Sequence, residues 1–290
     1  MPARVHARKT RPGSVRVGSS ILKLNVPRIM GIVNATPDSF SGDGLGEDIR
    51  AAVERGESMF SSGADLVDIG GESTRPGADA VSVKAESART VKVVEALAAR
   101  HPGRISIDTM KPRVAEQALL SGASIVNDVG GLRDPGMIEI VAEHGASIII
   151  MHMKGEPRTM QVRPSYKDVV REVRAFLEDR VSAAEEGGID PRSIMIDPGI
   201  GFGKSLEHNL EILARLSEFK GLGKPIVIGV SRKSFIGRIT GEPVEKRLEG
   251  SLAAAVLAVR EGADIVRVHD VPETFQALRV AREIIGHARG

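Results

Sequence analysis

Residues 104–129 read RISIDTMKPRVAEQALLSGASIVNDV. A short apolar run, Arg104–Thr109, gives way to a stretch of helical period that stops at the glycine of LSGAS, and a second apolar run, Ser124–Val129, follows. Neither run is long enough for a helix, and a glycine just past a helix takes the left-handed conformation that returns the chain to a sheet. The segment therefore reads as strand, helix and strand, a crossover that joins parallel neighbours and is right-handed.

The same alternation extends in both directions, from Arg28 to the end of the chain, and occurs eight times. The other candidate strands are Arg28–Asn34, Asp65–Gly71, Ser147–His152, Ile194–Gly199, Pro225–Ser231 and Asp264–Asp270. Amphipathic segments separate them. In the first, Ile49, Ala52, Val53, Gly56, Met59 and Phe60 share one helical face, and near the end Leu248, Leu252, Ala255, Val256 and Val259 do the same. SSGAD, EHGAS and REGAD repeat the glycine stop of LSGAS. Eight such units give an open doubly wound sheet or a closed barrel, and the count of eight at similar spacing favours an α/β fold of the (β/α)8 TIM-barrel type. Residues 14–27 alternate around Gly18, Ser19 and Ser20, which predicts an N-terminal β-hairpin that plugs the amino-terminal mouth. No linker marks a second domain, so residues 1–13 read as a flexible tail and 14–290 as one barrel domain.

Composition narrows the function. The chain has 290 residues, 41% hydrophobic and 27% charged, with a formal net charge of +2. It has no cysteine, which excludes disulfides, thiolate metal sites and cysteine nucleophiles. No apolar stretch approaches the ~18 to 20 residues of a membrane span, so a cytoplasmic protein with no membrane partner is expected. Arg4, Arg8, Lys9 and Arg11 could form an organellar transit peptide or a nucleic-acid arm. A solvated tail fits them better, because the stretch carries no amphipathic helix. With seven Phe, one Tyr and no Trp, stacking platforms for single strands are scarce, and no nucleic-acid partner is expected.

In a parallel barrel the chemistry comes from the carboxyl ends of the strands. Those ends carry Asn34, the loop GESTRPG after Gly70, Asp108, Asn127, His152, Asp197, the run Ser231–Ser234, and Arg267 with His269. Singly, such residues often cap helices or satisfy loop backbone. Capping does not require them to converge, and each buried unpaired one is costly. Period two places Arg267 and His269 on one face of the last strand as donors to an anion. DPGIGFGK at 197–204 lacks the spacing of a phosphate loop and reads as shape, with glycines that let backbone approach a planar ligand and Phe202 covering an edge. A metallohydrolase would need several histidines where the first strand offers GIVN, which argues against a tightly chelated transition metal. A Mg²⁺ ion held by one or two protein oxygens and by substrate phosphates would leave little trace.

Taken together, GIVNATPDSFSGDG, DIGGESTRPGA, ISIDT, IVNDVGG, MHMKGEPRTMQ, IDPGIGFGKSLEHN, GVSRKSFIGR and RVHDV resemble the dihydropteroate synthases of the folate pathway. That family condenses 6-hydroxymethyl-7,8-dihydropterin pyrophosphate with 4-aminobenzoate. The resemblance implies pterin contacts from Asp108, Asn127, Asp197 and Lys233, with Met151 and Gly229 also lining the substrate site. It places the pyrophosphate near Asn34, Thr74, Arg267 and His269, with Asn34 helping to hold Mg²⁺. Phe202 and Ser234 are implied for the aminobenzoate, and Asp43, Thr74, Arg75 and Pro76 for two closing loops. Lys233, Asp197, Arg267 and His269 are the implied catalytic set, and a homodimer through the last helices is the implied assembly.

Three departures stand out. The first loop reads SFSGDG where the family more often has SFSDGG, which displaces Asp43 by one position; Met110 and Lys154 replace residues of other character. Two rivals remain: a methyltetrahydrofolate-binding corrinoid methyltransferase domain, which shares the barrel but needs neither GESTRPG nor RVH, and a non-catalytic pterin-binding barrel.

Overall fold

The structure of the protein, a computed structural model, describes residues 12–35, 45–73 and 80–287. Most of the basic tail lies outside these residues, as do Asp43, Thr74, Arg75 and Pro76. A hairpin of β1 (Ser14–Val17) and β2 (Ser20–Lys23) opens the described chain. Then come β3 (Arg28–Asn34), α1 (Leu45–Ser61), β4 (Leu66–Gly70), α2 (Val83–Ala98), β5 (Ile105–Asp108), α3 (Pro112–Leu120), β6 (Ile125–Asp128), α4 (Gly136–Glu143) and β7 (Ser147–Met151). The second half contributes α5 (Val169–Glu186), β8 (Ile194–Asp197), α6 (Leu206–Ala214), β9 (Val227–Gly229), α7 (Ser234–Thr240), α8 (Leu248–Glu261), β10 (Ile265–Val268) and α9 (Val271–His287).

The strands β3 to β10 form one sheet in the order β8-β7-β6-β5-β4-β3-β10-β9, with every ladder parallel. A parallel bridge between Ile196 and Ile226, with the Ile196 N–H donating to the Pro225 carbonyl at 3.0 Å, closes the seam between β8 and β9. The fold is thus the expected TIM barrel. Seven strands are shorter at one or both of their ends than the apolar runs, and β9 most of all. Pro225 has no N–H for a ladder, and Lys233 N–H already turns back to the Val230 carbonyl. Asp65 sits just outside β4 because its carboxylate accepts from Ile29 N–H and Arg28 instead.

Alternation sorts the side chains into two cores. Residues facing outward, such as Val67, Ile69, Ile107, Val126, Val266 and Val268, pack under the helices. Those facing inward at the amino-terminal end, Met30, Leu66, Ile125, Ile149, Met195, Val227 and Ile265, form an apolar floor together with Val15, Val17 and Leu24 of the hairpin region. Ser147 Oγ donates to the Arg16 carbonyl at 2.6 Å, and Arg16 pairs with Asp190 at 3.0 Å, so the plug is pinned as well as packed.

The glycines of SSGAD, LSGAS, EHGAS and REGAD all have positive φ, as at Gly262 with φ 112°, where the N–H caps α8 by donating to the Ala258 carbonyl. In α1 the expected face is the buried one, with Ala52 and Met59 inside. α8 differs: its deepest residues are Ser251, Ala254, Ala255 and Ala258, while Leu248, Leu252, Val256 and Val259 are only half-buried. Small side chains let this helix lie close to the barrel and push the large apolar ones to the flanks. α7 is an addition that the strand-helix alternation did not anticipate.

Removing two methyl groups from the floor by Val17→Ala is expected to cost about 2 kcal/mol, read as a lower urea midpoint at unchanged slope. Ile21→Ala, on the exposed strand of the same hairpin, should leave the midpoint unmoved.

Candidate functional site

Above the apolar floor the barrel interior turns polar. Register sets Gly70 level with Asp108, Asp108 with Asn127, Met151 with Asp197, and Gly229 with Arg267. Asp68 sits one inward position below Gly70. Charges placed here are out of water and must find partners. Arg267 supplies most of them, through Nε to Asp68 Oδ2 at 2.6 Å and Nη2 to Asp108 Oδ2 at 2.6 Å. Asn127 Nδ2 donates to the same Asp68 oxygen at 2.9 Å. The second oxygens, Asp68 Oδ1 and Asp108 Oδ1, are buried without a partner.

Lys233 and Asp197 complete the cluster. Asp197 Oδ1 accepts from Gly199 N–H at 2.7 Å, and burial raises its carboxyl against the opposing pull of that bond and of Lys233. Burial brings the Lys233 ammonium down to about 8, with Asp197 working the other way. Its Nζ stands 4.1 Å from the centre of the Phe202 ring, a cation–π contact. Lys233 owes its direction to Arg232, whose φ of 55° is in the left-handed region; that strained turn is held by Ser251 Oγ on its N–H and by a two-point ion pair with Asp270. Asp108 is raised to about 7, by burial first, with Arg267 opposing and Asp68 and Glu86 adding to the rise.

At the rim, Ser231 Oγ accepts from the His269 N–H at 3.2 Å and lies 3.0 Å from His269 Nδ1. Nδ1 is thereby engaged with the hydroxyl, and Nε2 is the ring nitrogen left for other contacts. Burial, with Arg267 and Arg232, holds this imidazole down to about 4, so it is a neutral donor at pH 7. Met151 is buried among Val129, Met153 and Met160 beside Phe202. Ser234 is exposed at the start of α7, and Asn34 is half-buried at the end of β3. Gly229 faces open space where a side chain would otherwise project.

His152 takes no part in this cluster. Its Nδ1 lies 2.9 Å from Lys204 Nζ, its ring meets Phe176 edge-on at 5.0 Å, and burial with the Lys204 charge keeps it neutral far below its ordinary value. Lys204 is itself buried, its ammonium spent on the carbonyls of Gly199 at 2.8 Å and Phe202 at 3.0 Å. Two glycines of DPGIGFGK serve the same seam: a side chain at Gly199 would lie 2.0 Å from the His152 carbonyl, and one at Gly203 2.2 Å from that of Lys154. Gly201, between them, backs onto the cluster, where a side chain would meet Lys233 Cδ at 3.3 Å.

Asp68 is the residue that sequence reading missed. The available signal was a carboxylate in the middle of LVDIG, a strand otherwise wholly apolar. A second omission is Lys111, whose ammonium bridges Glu72 and the buried Glu86, at 2.5 Å from the latter. Glu72 also accepts from Val81 N–H at 2.9 Å, which ties both stems of the GESTRPG loop together. Met110 lines a cavity of about 320 Å³ at the rim with Met153, Asp128 and Arg133, and Lys154 lies over the Tyr166 ring, so neither departure touches the central cluster.

The family model for pterin binding enzymes matches residues 30–269. The chain is 47% identical over 259 residues to the dihydropteroate synthase of Escherichia coli strain K12, covering 89% of this chain and 92% of that protein. Among solved structures, the dihydropteroate synthase of Xanthomonas albilineans with 4-aminobenzoic acid is 46% identical, with a TM-score of 0.87 over 94% of this chain and 98% of that one. The same enzyme in complex with 7,8-dihydropteroate gives 44% identity and a TM-score of 0.84 over 93% and 98%.

The raised Asp108 carboxyl has a consequence for stability. Its contribution to the fold is fully present below the ordinary value of 3.8 and is lost as pH rises through about 7, because the unfolded chain ionises first. Asp108→Asn, which keeps the shape without the charge, is expected to melt above the native protein at pH 8, with the gap closing as pH falls toward 4. A gap that is constant with pH would contradict this.

Proposed function

This chain belongs to the pterin-binding enzymes and, within them, to the dihydropteroate synthases, which are transferases; from that premise we propose how its own residues act. The reaction is the condensation of 6-hydroxymethyl-7,8-dihydropterin pyrophosphate with 4-aminobenzoate, giving 7,8-dihydropteroate and pyrophosphate. The observation that carries the proposal is the meeting of Lys233, Asp197, Asp108 and Arg267 in one buried charge cluster at the carboxyl end of the barrel.

A pterin presents a ring N–H and an amino group on one edge, and a carboxylate accepts both as a pair. Asp197 is suited to that edge, since Gly199 fixes one of its oxygens in place. Lys233, still largely an ammonium at pH 7, donates to the ring carbonyl and the adjacent ring nitrogen. Asp108 Oδ1, buried and unpartnered, is an acceptor awaiting a further ring N–H. Heterolysis of the C9–O bond leaves a cation that the electron-rich pterin spreads over its ring. The carboxylates around it stabilise that charge, while Arg267 and the Nε2–H of His269 face the departing pyrophosphate. The aminobenzoate nitrogen then attacks C9 and gives up one proton to the departing pyrophosphate or to water, with Phe202 and Ser234 beside its path and Thr74, Arg75 and Pro76 assigned to it from the second loop. No covalent intermediate with the protein is required.

Mg²⁺ fits only a sparse protein site. Asn34 offers one neutral oxygen, and among the described residues no group of three His, Asp or Glu could hold a metal. An ion there would take its other ligands from the substrate phosphates and water, and when bound it would neutralise charge on the leaving group. We also place a second copy of the chain against α8 and α9, where Leu257, Val280 and Ile284 are 58%, 61% and 66% exposed and the last two lie one helical turn apart. Among the described residues no helix is long and apolar enough to cross a membrane.

Incubating the protein with the pterin pyrophosphate, 4-aminobenzoate and Mg²⁺ should release pyrophosphate and form dihydropteroate one for one, and methyltetrahydrofolate should yield no methyl transfer. Lys233→Ala and Asp197→Ala should each remove a charge-assisted contact worth roughly 1.5 to 3 kcal/mol, a loss of about 10- to 150-fold in pterin affinity. Unchanged affinity by calorimetry in either variant would rule out its assigned contact. For the assembly, Val280→Asp is expected to convert a dimer to a monomer in analytical ultracentrifugation.

A further inference from the structure

We infer that Asp68, which touches no substrate in the reading above, is a positioning residue that sets the hydrogen-bond polarity of Asn127 and aims Arg267, and so fixes which edge of a heterocycle the site accepts. The inference rests on the pterin reading and adds to it a residue outside the implied contact set.

Asp68 is fully buried in β4, and its Oδ2 receives donors from both sides: Arg267 of β10 at 2.6 Å and Asn127 of β6 at 2.9 Å. A carboxylate that accepts a guanidinium is ionised and can only accept, so Asn127 must turn its NH₂ toward it. This removes the flip that leaves most asparagine amides with two possible orientations. The unspent groups of Asn127 are then its carbonyl oxygen and its second N–H, an acceptor beside a donor. An aminated ring nitrogen of a pterin offers the complement, an amino hydrogen beside a lone pair. A free amide would present the reverse order in its flipped state, and that edge would be refused.

On the other side, Asp68 holds the Nε edge of Arg267 while Nη2 reaches Asp108, which leaves Nη1 outside both bonds. Asp68 Oδ1 meanwhile has no partner, which costs stability. An uncompensated oxygen in the middle of a barrel is poorly accounted for by packing, and is accounted for by the orientation of two neighbours that its other oxygen provides.

The test is a double-mutant cycle read by calorimetry with 6-hydroxymethyl-7,8-dihydropterin, a probe without the pyrophosphate, so that Arg267's part in anion binding does not enter. Asp68→Ala is expected to weaken binding by about 10- to 100-fold. In an Asn127→Ala background, where no amide remains to be oriented, the same change should cost less than about threefold. Should alanine leave a barrel that does not fold, Asp68→Leu, close in volume and without an acceptor, carries the same cycle. Equal losses with and without the Asn127 amide, or no loss at all, overturn the inference. A native protein that does not bind the probe overturns the pterin reading and this inference with it, a result distinct from native binding with additive losses.

Discussion

A charged layer inside a closed barrel can persist only if its members neutralise one another, because water reaches it from one end and the other end is sealed. Arg267 meets that requirement. Its guanidinium serves Asp68 and Asp108 at once, and although burial alone would lower its pKa, the two carboxylates hold it above the ordinary arginine value. Only arginine has a planar fork with donors on two edges. A lysine at 267 would reach one carboxylate and leave the other as an uncompensated buried charge, so β10 is tied to both β4 and β5 through a single side chain.

The scaffold around this layer keeps its geometry from drifting. Below, the hairpin seals the floor with Val15, Val17 and Leu24, which excludes water from the underside of Asp68. To one side, the buried Lys204 links the loop after β7 to the loop after β8 through the carbonyls of Gly199 and Phe202 and the ring of His152. Burial pushes the Lys204 ammonium well below its usual range, and its acceptors are neutral dipoles. It therefore braces the loop that presents Asp197 without taking that carboxylate as its own partner.

The barrel was legible because strand and helix periods alternate eight times with glycine stops between them, a pattern that few other architectures produce. The site was legible to the extent that residues stand at strand ends: Asp108, Asn127, Asp197, Arg267 and His269 do, and the fold brings them together. His152 shows the limit of the rule, since it stands at a strand end and yet turns into the seam between two loops. Asp68 shows the opposite limit. It lies two residues inside β4, where a polar side chain is easily read as part of an apolar run, and its importance depends on partners 59 and 199 residues away along the chain. Lys111 escaped for a similar reason, because an ammonium between two glutamates looks in sequence like any exposed lysine.

The polarity of the cavity follows from the order of these groups along the barrel axis. Deep inside, the carboxylates Asp68, Asp108 and Asp197 lie among Arg267, Lys233 and Lys204, and Glu86 adds negative potential at Asp108. Polar groups gather at the rim, where His269 leaves Nε2 unengaged by Ser231 and Arg267 has N–H groups to spare. On the proposed reading, a ligand with ring N–H donors at one end and an anionic tail at the other would bind in one direction. On the proposed reaction, the same gradient would favour separation of charge along it, with positive character on the ring kept among the carboxylates and the departing anion moving toward donors and solvent. On the proposed reaction, the buried carboxylates that burden the fold are also the groups that would favour heterolysis in this cavity.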